Sequence, residues 1–294
     1  MTDFNEEDFE EEEDDSTPAY ENEKLDILIR QMRVSKTGAF YVDILSNDDI
    51  YIIADEVKIN RCWNTLRLTG HNQVKSDGAK YLFDALAANP SIKNLHLGGN
   101  SLGDTGISIF QPFLSTNTTI IDLILTDNQI TDIGGKLISE MLRQNSTLET
   151  LVLHGNPLLD TGVISIAQAL HKNHTLTTLK LYRTAMTDVG AQELASMLRL
   201  NTTVKVLSLD DNEISDIGMQ AICTALHDNQ ILTCLNIRQN QITDESVNTI
   251  VTMLQTRRIF DRLDLARNQL SDQGKETIRQ TNTNNNNTVK SLIL

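Results

Sequence analysis

A leucine, one intervening residue and a second aliphatic residue recur at Leu66, Leu95, Leu123, Leu151, Leu179, Leu207, Leu235 and Leu263, and the last residues, Leu292 to Leu294, open a ninth copy. After a first step of 29 residues, every interval up to Leu263 is 28. A fixed period of this length means one short supersecondary unit stacked many times. Burying about six aliphatic side chains at ~1.5–3 kcal/mol each does not offset ordering the backbone of such a unit at ~1–2 kcal/mol per residue. Each unit must therefore close its core against its neighbours. Composition agrees, because aromatic residues are only 4% of the chain and the layers must be aliphatic.

Each position within the unit has a physical task. The two leucines alternate with an outward residue, as a short parallel strand requires. Five residues after the first leucine stands Asn100, Asn128, Asn156, Asn212, Asn240 or Asn268, whose amide can satisfy bare backbone groups where the strand turns away. Thr184 replaces this Asn in one unit, and His71 or Asn72 takes the role in the first. Asp104, Asp132, Asp160, Asp188, Asp216, Asp244 and Asp272 precede an apolar pattern at helical spacing and are expected as helix N-caps. A glycine follows two residues later in most units, with Ser246 an exception, where a small side chain lets the helix start lie close to its own strand layer. Apolar residues then recur in one helical stripe. The helix is expected to stop in a left-handed turn at Asn89, Asn117, Asn145, Asn173, Asn201 and Asn229. Strands pack ~4.8 Å apart and helices ~8–10 Å apart, so the strands must line the inside of an arc. The expected fold is α/β, a right-handed βα solenoid with a concave parallel sheet and convex helices.

The unit L-x-L-x-x-N-x-[IL]-x-D-x-G, followed by its helical stripe and N-x-x-L, resembles the ribonuclease-inhibitor-like leucine-rich repeats. The resemblance covers roughly residues 45–294. Such repeats occur in NOD-like receptors, the Ran GTPase-activating protein, tropomodulin-type actin cappers and ciliary or cytoskeletal proteins. The resemblance implies a non-enzymatic interaction scaffold. It also admits a regulator of a small GTPase and an actin-filament or axonemal component. The shared residues are those of construction, so the resemblance speaks for fold more than for function.

Outside the array, three segments are expected. Residues 1–23 hold 12 acids and no base, which reads as a solvated disordered tail or as a docking segment for a basic partner. Residues 24–65 read as an N-terminal helical cap and degenerate repeat. Leu25, Leu28, Ile29 and Met32 share one helical face there, Ile53 and Val57 fall where Leu82 and Leu86 fall one repeat later, and Trp63 is expected in the core. The array occupies residues 66–294, decays at "TNTNNNNT", and ends on a bare strand at 292–294 that suits either continuation or edge-to-edge association.

Several functions are disfavoured. With the leader set aside, 28 acids face 25 bases, which is not the basic stripe of a nucleic-acid surface. No apolar run approaches the ~18 residues of a membrane helix, and the first residues form no secretory signal, so a cytoplasmic and cytoskeletal or ciliary setting is expected. Cys62, Cys223 and Cys234 have no metal or redox spacing. "GGNSLGDTG" lacks the lysine of a phosphate loop, and His171 with His174 has no third ligand. No catalytic residue, metal or cofactor is expected. The sequons at Asn117, Asn145, Asn173 and Asn201 fall on the helix stop and are expected to be unmodified.

Specificity should reside where the units differ, on the concave face. Its first half is mild, with Arg67, His96 and His154 beside the exposed apolar pair Ile124 and Val152. Its second half is charged, through Lys180, Tyr182, Arg183, Asp210, Asp211, Arg238, Arg262, Asp264 and Arg267. Tyrosine and arginine dominate interface energetics, which singles out Tyr182, Arg238 and Arg262 for a protein partner.

Overall fold

The computed structural model of the chain describes residues 22–35, 38–42, 46–70, 76–256, 260–285 and 288–294. The leader through residue 21 and the pair His71 and Asn72 lie outside them. Strand and helix alternate throughout, and the strands form a single ten-stranded sheet in strict sequence order, every described pair parallel. Register follows the repeat, with Leu66 opposite Leu95 and so on to Leu263 opposite Leu292.

The array begins one strand earlier than the leucine pattern indicates. Helix α1 (Glu23–Ser35) leads into β1 (Ala39–Val42), which pairs with β2 (Thr65–Leu68) and sets Phe40 opposite Leu66. Phe40 and Trp63 are fully buried and stack with ring centroids 4.5 Å apart. Helix α2 (Asn47–Ile59) buries Ile53 and Val57, and Ser46 with Asp49 forms a reciprocal capping box at its start.

Six regular helix–strand units follow: α3 (Ser76–Ala87), β3 (Asn94–His96), α4 (Gly103–Thr116), β4 (Asp122–Ile124), α5 (Asp132–Gln144), β5 (Thr150–Val152), α6 (Leu159–Leu170), β6 (Thr178–Lys180), α7 (Asp188–Leu200), β7 (Val206–Ser208), α8 (Asp216–Asp228) and β8 (Cys234–Asn236). The end of the array holds a short 3-10 turn (Asp244–Ser246), α9 (Val247–Thr256), β9 (Phe260–Asp264), α10 (Asp272–Asn284) and β10 (Val289–Ile293). Helix α10 takes in the first half of the asparagine-rich segment, residues 281–284. Asn282 is buried there, donating to Val289 O and accepting from Val289 N, which ties the helix to the last strand.

Two columns of asparagine bind unit to unit. At the strand exit, Asn128 Nδ2 donates to Leu97 O one unit back at 2.7 Å, while its Oδ1 accepts from Asn100 N and Leu102 N at 3.1 and 3.3 Å. Asn156, Asn212 and Asn268 repeat both halves of this bridge. At the helix stop, Asn145 Nδ2 donates to Leu114 O at 2.7 Å and its Oδ1 accepts from Thr147 N and Leu148 N. The stop is not a left-handed cap, since Asn145 has φ −72 and ψ 130. Asparagine is needed there for its donor and acceptor rather than for its backbone freedom. The sequon residues Asn145, Asn173 and Asn201 are buried by the same bonds.

The aspartates also differ from expectation. The N-cap is the preceding Thr131, Thr187, Ser215 or Thr243, whose hydroxyl accepts from an amide two residues on. The aspartate reaches across to the next unit instead. Asp188 accepts from Ser215 N at 2.8 Å, Ser215 Oγ at 2.5 Å and Gly218 N at 2.9 Å. Asp104 and Asp160 repeat the set. Glycine is required by that neighbouring carboxylate, because a Cβ on Gly218 would stand 2.7 Å from Asp188 Oδ1. Ser246, at the equivalent place, donates its hydroxyl to Asp216 instead. Burial pushes the Asp216 carboxyl upward, but the hydroxyls and amides of Ser246 and Thr243 outweigh it and hold it below the usual carboxylate range.

The seams on either side of the Leu151 unit depart from these schemes. Leu159, like Gly103, stands where Thr131, Thr187, Ser215, Thr243 and Ser271 supply a hydroxyl, so Asp132 meets none and has only Lys136 Nζ at 3.4 Å. Thr184 Oγ1 donates to Leu181 O within its own unit and does not reach back to Leu153 O, which takes its bond from Asn156.

These contacts yield two expectations for urea unfolding. Asp188→Ala strips the acceptor from two amides and a hydroxyl and should cost about 2–4 kcal/mol, whereas Asp132→Ala, at the same place in the repeat, should cost under about 1 kcal/mol. Equal losses would contradict the cross-unit role. Thr184→Asn should add about 1 kcal/mol by restoring the bridge that Asn128 makes to a similarly turned unit.

Candidate functional site

The residue between the two leucines of each strand points away from the core, and the residues after the second leucine sit on the strand-exit turn. That turn places the residue before the asparagine in the left-handed region: Asp127, Arg183, Asp211, Gln239 and Arg267 have φ between 51 and 59. Glycine takes this place as Gly99 and Gly155. The left-handed backbone aims long polar side chains at these positions along the strand-exit rim of the sheet.

The expected concave residues fall into two open basins. The first, about 800 Å³, is lined by Arg67, His96, Ile124, Thr126, Asp127 and Arg183 among others. The second, about 500 Å³, gathers His154, Lys180, Tyr182, Asp210, Arg238 and Arg267, joined by Ser208, Asn236 and Gln239. Between them runs an ion pair, Arg183 to Asp127 at 2.7 Å, across two repeats. Both partners are more than half exposed, so the pair orients Arg183 more than it stabilises the fold. The Asp127 partnership was missed from sequence, although the two residues are 56 apart and so share one repeat position.

The second basin has an ordered floor. Tyr182 lies edge-on to His154, ring centroids 5.4 Å apart, and its backbone N–H donates to His154 Nδ1 at 3.2 Å. Asp210 accepts from Ser208 Oγ at 2.7 Å and Arg238 N at 2.8 Å. Burial nevertheless raises its carboxyl above the usual range. Among the described residues the side chains of Lys180 and Arg238 carry no ion pair, and Arg267 bonds only to Gln239 at 3.4 Å.

Three expected residues are placed otherwise. Asp264 is only 4% exposed, accepting from Arg262 Nη2 at 2.8 Å and Ala266 N at 3.1 Å, so it holds Arg262 and the turn rather than facing outward. Arg262 also donates to Asn236 Oδ1 at 2.9 Å and is tied on both sides. Asp211 sits on the turn edge, accepting from Gln239 Nε2 at 2.7 Å. Val152, expected exposed, is buried at 5%, while Ile124 is half-buried. Among the described residues no cluster of three or more His, Cys, Asp or Glu side chains could hold a metal ion. Nor is any described helix long and apolar enough to cross a membrane.

The leucine-rich repeat family model matches six segments, residues 88–108, 116–139, 144–167, 172–195, 200–223 and 228–251. The chain is a leucine-rich repeat protein, and its open parallel sheet with alternating helices is the βα solenoid of that class. Among solved structures, the leiomodin-1 actin-binding site 2 is similar at 20% identity and a TM-score of 0.43, covering 50% of this chain and 86% of that one. None of the curated proteins matches the sequence.

His154 provides a direct check on this geometry. Burial, then the Lys180 charge, hold its pKa below the ordinary histidine value, so the ring stays neutral with Nδ1 free to accept. Protonation would remove the acceptor of Tyr182 N–H, so the ring's contribution to stability is present above the ordinary histidine pKa and lost as pH falls through the lowered one. Nitrogen-15 NMR should find Nδ1 unprotonated at neutral pH, with Lys180→Ala moving the titration upward. A ring titrating at or above the ordinary value would refute the arrangement.

Proposed function

We propose that the chain is a non-enzymatic scaffold that presents its curved sheet to a protein partner, with the contact centred on the basin of Lys180, Tyr182 and Arg238. One observation carries this reading. An aromatic ring held by His154 lines an open concavity together with two cations that lack ion partners among the described residues. Folding does not require that grouping, since the construction bonds run through the asparagines and aspartates beneath it. Tyrosine and arginine are the residue types that most often carry binding energy, and Tyr182 is pre-oriented by its contacts. Arg183, 5.6 Å from the Tyr182 ring, extends the surface toward Arg67 and His96.

The helical 28-residue unit supports the ribonuclease-inhibitor-like subtype. Cys62 is exposed and unpaired, which suits a reducing, cytoplasmic setting.

Tyr182→Ala combined with Arg238→Ala should leave the circular dichroism spectrum unchanged and weaken capture of the partner at least tenfold, read as a ratio of captured proteins by mass spectrometry against the parent chain. Truncating a hot-spot side chain typically costs ~2 kcal/mol or more, about thirtyfold. An unaltered captured set would reject this placement of the contact.

A further inference from the structure

The concave face carries a local excess of cations at its second basin. Its carboxylates are largely engaged: Asp127 by Arg183, Asp264 by Arg262, Asp261 by Lys290, and Asp211 by Gln239. Asp210 is half-buried and bonded to Ser208 and Arg238 N. Among the residues that line the second basin, three cations without ion pairs, Lys180, Arg238 and Arg267, face one carboxylate, Asp210. The body of the chain is otherwise near charge balance, so this grouping is local.

The complementary charge is in the same chain. Residues 3–15 contain ten acids and no base, interrupted by Phe4 and Phe9. The structure also shows where this leader enters the fold. Asn22 Nδ2 donates to Asp49 Oδ1 at 2.6 Å, at the start of α2, while Arg33 near the other end of α1 pairs with Glu56 toward the end of α2. Helix α1 is therefore parallel to α2, and its start lies on the side where strands exit and helices begin. That is the same rim on which Tyr182, Asp210, Arg238 and Arg267 stand. From β1 to β7 is six strand spacings, about 29 Å at ~4.8 Å each. Twelve residues extended at ~3.3–3.6 Å reach about 40 Å, so the acids N-terminal to Glu10 can arrive at the basin.

We infer that the acidic leader, through its acids Asp3, Glu6, Glu7 and Asp8, docks in the basin of Lys180, Tyr182, Arg238 and Arg267 and competes there with the external partner. The inference rests on the concave-face reading above and gives it regulation: the leader is a tethered pseudo-ligand, and the partner displacing it must itself present an acidic surface. Tethering supplies an effective concentration of the order of 1 mM, so a contact of only ~100 µM affinity between separate molecules would mask the basin about tenfold. Charge-based docking of exposed groups weakens with salt, because the Debye length shrinks from ~10 Å at 0.1 M to ~3 Å at 1 M.

The probe is a fluorescein-labelled peptide of residues 1–23, titrated by fluorescence anisotropy at 50 mM salt. Two full-length chains are compared, the parent and a variant with the ten acids of residues 3–15 changed to Asn or Gln. The neutralised chain should bind the peptide about tenfold more tightly, and 0.5 M salt should close the gap. In the neutralised background, Lys180→Glu with Arg238→Glu should abolish binding, and Lys180→Gln with Arg238→Gln should weaken it while the circular dichroism spectrum stays unchanged. Equal affinity of the two chains overturns the inference, as does tight binding that ignores the Lys180 and Arg238 changes. Either result leaves partner capture through Tyr182 standing. Capture indifferent to Tyr182 and Arg238, with the peptide result intact, would instead sink the scaffold reading.

Discussion

Everything in this molecule depends on hydrogen bonds made between units rather than within them. A single strand–helix unit buries too little to fold, so the chain needs directional contacts that place each unit on the last in one register. Asparagine at the strand exit provides these through both ends of its amide, one reaching back to Leu97 O and the other capping the turn of the preceding unit. Buried in apolar layers, such groups are costly unless satisfied, which makes slippage by even one residue unfavourable. The aspartate column does the same at the helix starts with charge-assisted bonds. Leucine supplies cohesion, and these polar columns supply register.

Because construction is confined to the core-facing and turn-capping positions, the outward positions of each strand are free to vary. The two basins are built from those positions and from the strand-exit turns. Their side chains are positioned by rigid strands and by the left-handed turn residues, whose backbone is held by the asparagine beneath. The first basin is wider and milder, around Ile124, and the second is ringed by cations around a tyrosine. The Arg183–Asp127 bridge between them shows how a twofold repeat spacing becomes a lateral contact on the surface.

Most of the fold was legible in the sequence because a period reports every strand at once. What escaped did so for identifiable reasons. Strand β1 carries Phe40 where the others carry leucine, and the pairing of Phe40 with Trp63 is a non-local fact that no spacing records. The aspartates satisfy every local rule for an N-cap, but their partners lie 27 residues on, and only the stacked structure brings those within 3 Å. The polar tract at 281–284 looks like loop by composition, yet Asn282 is buried by two bonds to Val289. At the candidate site, residue type and strand position placed Lys180, Tyr182 and Arg238 together. They did not show that Asp264 is buried beneath Arg262, since burial on a curved sheet depends on how long neighbouring side chains fold over one another.

The unit that opens at Leu151 relaxes both construction rules at once. Leu159 removes the hydroxyl that Asp132 would have engaged, and Thr184 in the next unit cannot bridge back as Asn does. Leu159 even takes a left-handed backbone, φ 54, where the similarly turned unit has Gly103. The two losses fall at the two seams that flank the Leu151 unit, and each removes bonds worth about 1 kcal/mol apiece. The unit between those seams carries His154, whose ring meets Tyr182 of the next unit in the second basin. Bound strictly by the ladder, that strand exit would copy its neighbours; loosened there, it accommodates a Pro157 turn and the edge-on ring pair. Departures from local rules tend to mark sites rather than scaffold. Here the relaxed seams adjoin the second basin, although Leu159 and Thr184 are not themselves among the residues that line it.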